Sequence, residues 1–317
     1  MFYTVTYEMC GDRKEGFVTV NGVSTHVCTW GGWIEDQAEF KEIIVFIPGV
    51  PGIIGYYDKF LSKLHSLLNV PVWGISYAGH MIPPATEKPG LPTLNKHPHL
   101  YDLKGQVDHK IDFITKYVPE NGKITLIAHS IGSKMAIDAL QNSSVRRKVE
   151  KVYLLFPVIE RLAEAPNGNS FWVKYQPIYM AVMILLFSIL YFFPSKVREA
   201  YMNFLLKRKN YPQDMLEPTL QYVNPVVLSN LNYLGIDAMK NVRQLDHRLI
   251  KDLSELLFLY YGENDGWVPL KYWREMGENH PEIQTMVCKN GMKHSFSKRN
   301  GEKMALILTD IIEKQRK

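Results

Sequence analysis

The sequence predicts an α/β fold: a mostly parallel central sheet with helices on both faces and one helical insertion. Three observations carry that reading. Residues 43–47, 123–127, 152–156 and 256–262 are apolar runs of strand length, as suits strands covered on both sides. Stretches with helical spacing fall between them, so strands and helices alternate as a parallel sheet requires. The alternation stops between residue 171 and about residue 241, which marks the insertion.

Taken in order, residues 17–20 and 23–27 flank Asn21-Gly22, a two-residue hairpin signal because both turn positions accept positive φ. His26 lies inside this hairpin and reads as a packing or surface residue. The strand at 43–47 ends in Pro48-Gly49-Val50-Pro51-Gly52, where Gly49 allows close backbone approach. A helix is expected over 56–68 and a strand over 72–76. Tyr77-Ala78-Gly79-His80 then opens a proline-rich loop reaching Pro98, of the kind that walls a pocket at a strand's carboxyl end. His80 reads as a hydrogen-bonded loop histidine. A helix over 103–118 carries Gln106 and His109 three apart on one face, either pinning a neighbouring loop or facing solvent.

The chemistry centres on Ala128-His129-Ser130-Ile131-Gly132, which joins the strand at 123–127 to the helix-forming stretch 133–140. A serine between small residues at a strand-to-helix switch is a nucleophile elbow. The turn is tight enough to strain the serine backbone, and Ala128 and Gly132 leave room for the crossing strand and helix. A hydrolase built this way needs an acid and then a histidine further along the chain. Asp265 follows the strand at 256–262, and His294 follows a strand expected over 283–288. Ser130, Asp265 and His294 therefore fall after successive strands in the required order, and an α/β-hydrolase sheet is the expected fold. Glu160, after the strand at 152–156, is the runner-up acid. The backbone N–H groups of Val50 and Ile131 are the expected oxyanion donors; Pro48 and Pro51 have no N–H to offer.

The 317 residues suit one large domain with an insertion. Hydrophobic residues make up 46% and charged ones 22%, and the mean hydropathy of -0.15 excludes a polytopic membrane protein. A net charge of +5 suits an anionic membrane surface, but no basic run resembles a nucleic-acid stripe. Cys10, Cys28 and Cys288 are odd in number and far apart, so a reducing compartment is expected without a disulfide framework. The stretch 1–10 lacks the pattern of a secretory signal. No metal or cofactor is implied.

Inside the insertion, the sixteen residues 178–193 carry no charge and are bounded by Pro177 and Pro194. As a helix they would span about 24 Å, short of the ~30 Å hydrocarbon core of a bilayer. Lys174 precedes the run, and Lys196, Arg198 and Lys207-Arg208-Lys209 follow it, which with Tyr179 and Tyr191 suits an interfacial anchor. The expected membrane-binding residues are Ile178, Met183, Leu185, Leu186, Phe187, Ile189, Leu190, Phe192 and Phe193. A helix buried beneath the insertion is the alternative. The expected organisation is a hydrolase core at 1–170 and 242–317 interrupted by a cap at 171–241.

Several stretches together resemble the lipid droplet-associated hydrolase family: Ile47-Pro48-Gly49 with Pro51-Gly52, Ala78-Gly79-His80, Gly105-Gln106 with His109-Lys110, His129-Ser130-Ile131-Gly132, Leu154-Leu155-Phe156-Pro157, Ile159-Glu160-Arg161, Pro166-Asn167-Gly168, and Tyr260-Tyr261-Gly262, together with Asp265 and His294. The resemblance runs from residue 43 to about 296, and Ala128 and Val50 depart from it. It implies a serine ester hydrolase on lipid droplets and the cytosolic face of the endoplasmic reticulum, acting on sterol esters or related neutral lipid esters. The competing reading is a weakly active or non-catalytic droplet-surface protein that binds lipid or protein partners.

Overall fold

The computed structural model describes residues 6–10, 12–36, 40–85, 90–170, 173 and 176–316. Among them, nine strands form one sheet. These are β1 (Thr6–Cys10), β2 (Arg13–Val20), β3 (Val23–Trp30), β4 (Glu42–Ile47), β5 (Val72–Ile75), β6 (Lys123–His129), β7 (Val149–Leu155), β8 (Leu257–Gly262) and β9 (Gln284–Cys288). The order is β1-β2-β3-β5-β4-β6-β7-β8-β9. The pairings from β1 to β5 are antiparallel, and those from β5 through β4 to β9 are parallel.

The hairpin turn forms as the sequence predicts, with Asn21 at φ 47 and Gly22 at φ 74. Its strands run further than expected, pairing Arg13 with Trp30. The polar start of β2 hid this extension. Arg13, Glu15 and His26 satisfy one another there: Arg13 Nη2 donates to Glu15 Oε2 at 2.9 Å, and His26 Nε2 lies 3.0 Å from the same oxygen. His26 is thus a buried packing residue.

Helices cover both faces. On β4, Ile43, Val45 and Ile47 point into one cluster, while Ile44 and Phe46 point into the other, the period-two alternation of a strand buried on both sides. Helix α1 (Asp58–Leu68) covers the Phe46 side through Phe60, Leu61 and Leu64, and helices α2 (Leu103–Tyr117), α3 (Gly132–Ala139) and α4 (Ser143–Lys148) cover the other. Between β7 and β8 come α5 (Gln176–Leu190), α6 (Ser195–Arg208), α7 (Leu216–Tyr222), α8 (Pro225–Asn241) and α9 (His247–Asp252). Helix α10 (Leu270–Asn279) joins the α2 face, and the closing helix α11 (Gly301–Arg316) packs beside α1 through Met304, Leu308 and Ile312.

The apolar run expected to be helical over 178–193 bends earlier. Helix α5 stops at Leu190, residues 191–193 turn, and Pro194 caps α6 at ψ 150. Proline disfavours helix at the preceding residue, which places the bend there. Phe171 and Lys174, named above as the start of the insertion and part of its basic flank, lie outside the described residues, as do residues 1–5 of the amino terminus and the side chain of Cys10. Cys28 and Cys288 are buried free thiols.

Candidate active site

Strand β6 delivers the elbow. Ser130 has φ 54, a left-handed conformation that costs a non-glycine residue roughly 1–2 kcal/mol. Three hydrogen bonds impose it. Its N–H donates to the Leu155 carbonyl at 3.0 Å, and its carbonyl accepts from Ser133 N at 2.9 Å and Val158 N at 3.1 Å. The crossing is close enough that a Cβ on Gly132 would sit 2.4 Å from the Pro48 carbonyl oxygen. Glycine is therefore required there, whereas Ala128 fits fully buried in the core.

The loops after β8 and β9 bring Asp265 and His294 to this serine. His294 Nε2 lies 2.8 Å from Ser130 Oγ, and His294 Nδ1 lies 2.6 Å from Asp265 Oδ2. The other Asp265 oxygen accepts from the backbone N–H groups of Trp267 at 2.8 Å and Val268 at 3.2 Å. With both oxygens accepting, the carboxylate orients His294 so that Nδ1 donates and Nε2 accepts from the serine hydroxyl. A hydroxyl held by such a histidine is the arrangement that generates an alkoxide nucleophile. The turn 166–168 buttresses the acid loop, with Asn167 N donating to the Gly266 carbonyl at 2.8 Å. Glu160 is engaged elsewhere: its carboxylate accepts from Arg161 Nε at 2.8 Å, and Arg161 also pairs with Glu275.

The loop after β4 lies against the serine. A Cβ on Gly49 would fall 2.7 Å from His129 Nδ1 and 2.8 Å from Ser130 Cβ. Three buried side chains hold this loop. Tyr77 Oη donates to the Pro48 carbonyl at 2.6 Å, His80 Nδ1 donates to the Pro51 carbonyl at 2.6 Å, and Gly49 N donates to Tyr57 Oη at 3.0 Å. Among the described residues, the backbone N–H groups of Val50 and Ile131 meet no protein acceptor, and both residues line the pocket at Ser130. Tyr57 Oη, already accepting from Gly49, donates to His129 Nδ1 at 2.7 Å, so the His129 proton is on Nε2, which donates to the His294 carbonyl at 2.9 Å. Burial, and then the neighbouring His294, push His129 well below the usual imidazole range and keep it neutral. One hydrogen-bond chain therefore links the Gly49 loop to the backbone of His294. Neither Tyr57 nor Tyr77 carries a signal in sequence, since each stands among ordinary core aromatics.

Gln106 and His109 face inward. The Gln106 amide pairs with both backbone groups of Ala78, at 3.0 and 3.1 Å, and so supports the loop carrying His80. His109 Nε2 donates to Thr25 Oγ1 at 2.7 Å, and its Nδ1 accepts from Lys110 Nζ at 3.0 Å. Burial, and then Lys110, lower the pKa of His80 to about 4 against the pull of its bond to Pro51. Away from the serine, Glu15, His26 and Cys28 each place a possible ligand atom within 4.8 Å of the others. The Arg13 guanidinium already pairs with Glu15 and contacts Cys28 Sγ at 3.4 Å, so a positive charge is in place without a metal.

Ser130 opens onto a cavity of about 310 Å³ lined chiefly by apolar side chains, among them Val158, Leu162, Met180, Leu231 and Leu234. Residues 40–297 match the family described as lipid-droplet associated hydrolase. The chain is also 36% identical over 305 residues to the lipid droplet-associated hydrolase of Drosophila melanogaster, covering 96% of this chain and 99% of that one. It is 31% identical over 315 residues to the Homo sapiens protein of the same name, covering 94% of each.

The chain belongs to the lipid droplet-associated hydrolase family.

Among solved structures, it is similar to the Cif epoxide hydrolase from Acinetobacter nosocomialis, with a TM-score of 0.63 at 15% identity over 96% of this chain and 90% of that one. It is similar also to a meta-cleavage product hydrolase, with a TM-score of 0.61 at 17% identity over 94% and 97%. These likenesses show the α/β-hydrolase fold, and family and fold together make this chain a hydrolase.

Two helices of this family member turn apolar side chains to solvent. On α5, Ile178, Val182, Leu185, Leu186 and Ile189 follow helical spacing along one face, and all are at least half exposed. On α6, Val197, Tyr201 and Phe204 form a shorter stripe. Phe192, at the bend between them, is 90% exposed, with Phe193 beside it. The buried-helix alternative fails for this face. Not every predicted anchor residue is on it, however. Met183 and Phe187 lie on the opposite side of α5 and line a second cavity, and Leu190 is half-buried. The uncharged run gave no phase by which to separate the two faces. No described helix is long and apolar enough to cross a membrane.

Proposed function

We propose that this protein hydrolyses carboxylic esters of neutral lipids, sterol esters or related esters, at the surface of lipid droplets and the cytosolic face of the endoplasmic reticulum. The observation that carries the reading is the hydrogen-bonded line from Asp265 through His294 to Ser130, at 2.6 and 2.8 Å, opening on an apolar cavity. Ser130 Oγ attacks the ester carbonyl carbon while His294 Nε2 takes its proton. The carbonyl oxygen, now negative, is received by the N–H groups of Val50 and Ile131. The C–O bond to the alcohol breaks, and His294 returns the proton to the leaving oxygen. Water, deprotonated by the same nitrogen, then attacks the acyl-serine, releasing the fatty acid and regenerating Ser130. Asp265 keeps the tautomer correct and stabilises the imidazolium.

In this reading, residues 171–241 are a cap between the core segments 1–170 and 242–317, and the outward stripes of α5 and α6 seat it in a lipid monolayer. The name borne by the fly and human relatives points to the same surface. Arg198, stacked on Tyr191 at 4.2 Å, and the exposed Lys196, Lys207 and Arg208 supply a basic rim for anionic headgroups. The test is an ester panel presented in phospholipid-coated emulsions. Cholesteryl oleate or a related neutral ester should be cleaved by the protein and not by Ser130→Ala. Equal, background-level release by both proteins across the panel would remove the ester-hydrolase reading.

A further inference from the structure

A second apolar cavity, also of about 310 Å³, adjoins the one at Ser130. Its walls are the inward faces of α5 and α6, chiefly Met183, Phe187, Met202 and Leu206, with Val223 and, at the end of α6, Lys209 also in the lining. It therefore lies one helix away from the outward apolar stripe. Tyr56 and Lys298 are the two residues that line both cavities. The Tyr56 hydroxyl is anchored 3.1 Å from Thr219 Oγ1. Lys298 stands at the junction, its ammonium 5.8 Å from the Tyr211 ring centroid and, among the described residues, within ion-pair distance of no carboxylate.

An ammonium without a carboxylate partner, set where two greasy cavities meet, favours a ligand with an anionic head and a hydrocarbon tail. We propose that the second cavity is a binding site for a long-chain fatty acid, its tail among Met183, Phe187, Met202 and Leu206 and its carboxylate at Lys298. Ester hydrolysis creates this head group: the neutral acyl carbon of the substrate becomes a carboxylate, and only then does Lys298 gain a partner. The site would thus draw the acyl product away from Ser130 toward the lipid-facing helices. The inference rests on the ester-hydrolase reading for the source of the acid, but its test does not.

Binding is measured with cis-parinaric acid, a fluorescent fatty acid, and with its methyl ester as an uncharged control, on the full chain carrying Ser130→Ala so that nothing turns over. Against that background, Lys298→Gln should weaken the acid roughly tenfold, the order of one partly buried charge-assisted bond, and leave the methyl ester unchanged. Met183→Trp, which fills the cavity from the half-exposed helix, should weaken acid and ester alike. Leu206→Trp fills the same space from α6 and stands in if the first variant fails to fold by its thermal melt. An acid affinity that survives both the charge change and the filled cavity overturns the site, as does a filled cavity that leaves binding intact. Loss of ester cleavage in the emulsion panel would leave these results unaffected, so the two readings fail separately.

Discussion

The bond between Asp265 and His294 is 2.6 Å long, and both aspartate oxygens act only as acceptors. Asn at this position would present an N–H to one of those donors and favour the wrong histidine tautomer. Asp265→Asn should therefore lower kcat on a soluble ester by roughly 10⁴-fold, the scale known for a misoriented triad histidine. Glu160→Gln should leave kcat nearly unchanged, because Glu160 is held by Arg161. The reverse ranking would reassign the acid. Tyr57 supports the site from behind: Tyr57→Phe leaves the Gly49 N–H and His129 Nδ1 unpaired in the core. Each orphaned buried group costs about 1–3 kcal/mol, so the thermal midpoint should fall even though only one oxygen atom is removed. An unchanged midpoint would mean that water replaces the hydroxyl. Ser130, Asp265 and His294 were legible in sequence because each follows a stretch that reads as a strand, in the required order. Tyr57, Tyr77 and the tautomer of His129 were not, since their roles depend on loops brought together from β4, β5 and β9.

At the scale of elements, β4, β6, β7 and β8 read cleanly from sequence because burial on both faces demands continuous apolar runs. The start of β2 did not, because Arg13 and Glu15 are half-buried as an ion pair rather than as hydrophobes. Helix α5 was legible as a segment but not in phase: with no charged residue on either side, only the fold separates the Leu185 face from the Met183 face. That separation sharpens a prediction. Replacing Ile178, Leu185, Leu186 and Ile189 with serine should release the protein from phospholipid-coated droplets in a flotation assay and leave the thermal midpoint within a few degrees, because all four are exposed. Retention on droplets, or aggregation of the variant, would place this face in protein contacts instead.

The molecule as a whole buries several histidines in neutral form. His80 is fully buried with a pKa lowered to about 4, and burial pushes His109 and His129 down as well. The unfolded chain protonates a histidine near pH 6.5, so between 6.5 and 4 it takes up a proton that folded His80 refuses. Stability from this group is complete above pH 6.5 and is lost as pH falls toward 4, by about 1.4 kcal/mol per pH unit. His80→Asn, which can still donate to the Pro51 carbonyl, should flatten the acid limb of the stability curve in urea titrations by up to that slope. An unaltered slope would show that His80 is already protonated in the fold. The central claim is that the backbone strain, the buried acid and the braced loop all serve one nucleophile, Ser130. The most direct measurement is peptide mapping by mass spectrometry after treatment with a fluorophosphonate. The account predicts a single adduct on Ser130, lost in Ser130→Ala and strongly slowed in His294→Ala. Equal labelling of Ser130→Ala, or an adduct on another serine in the wild-type protein, would contradict it.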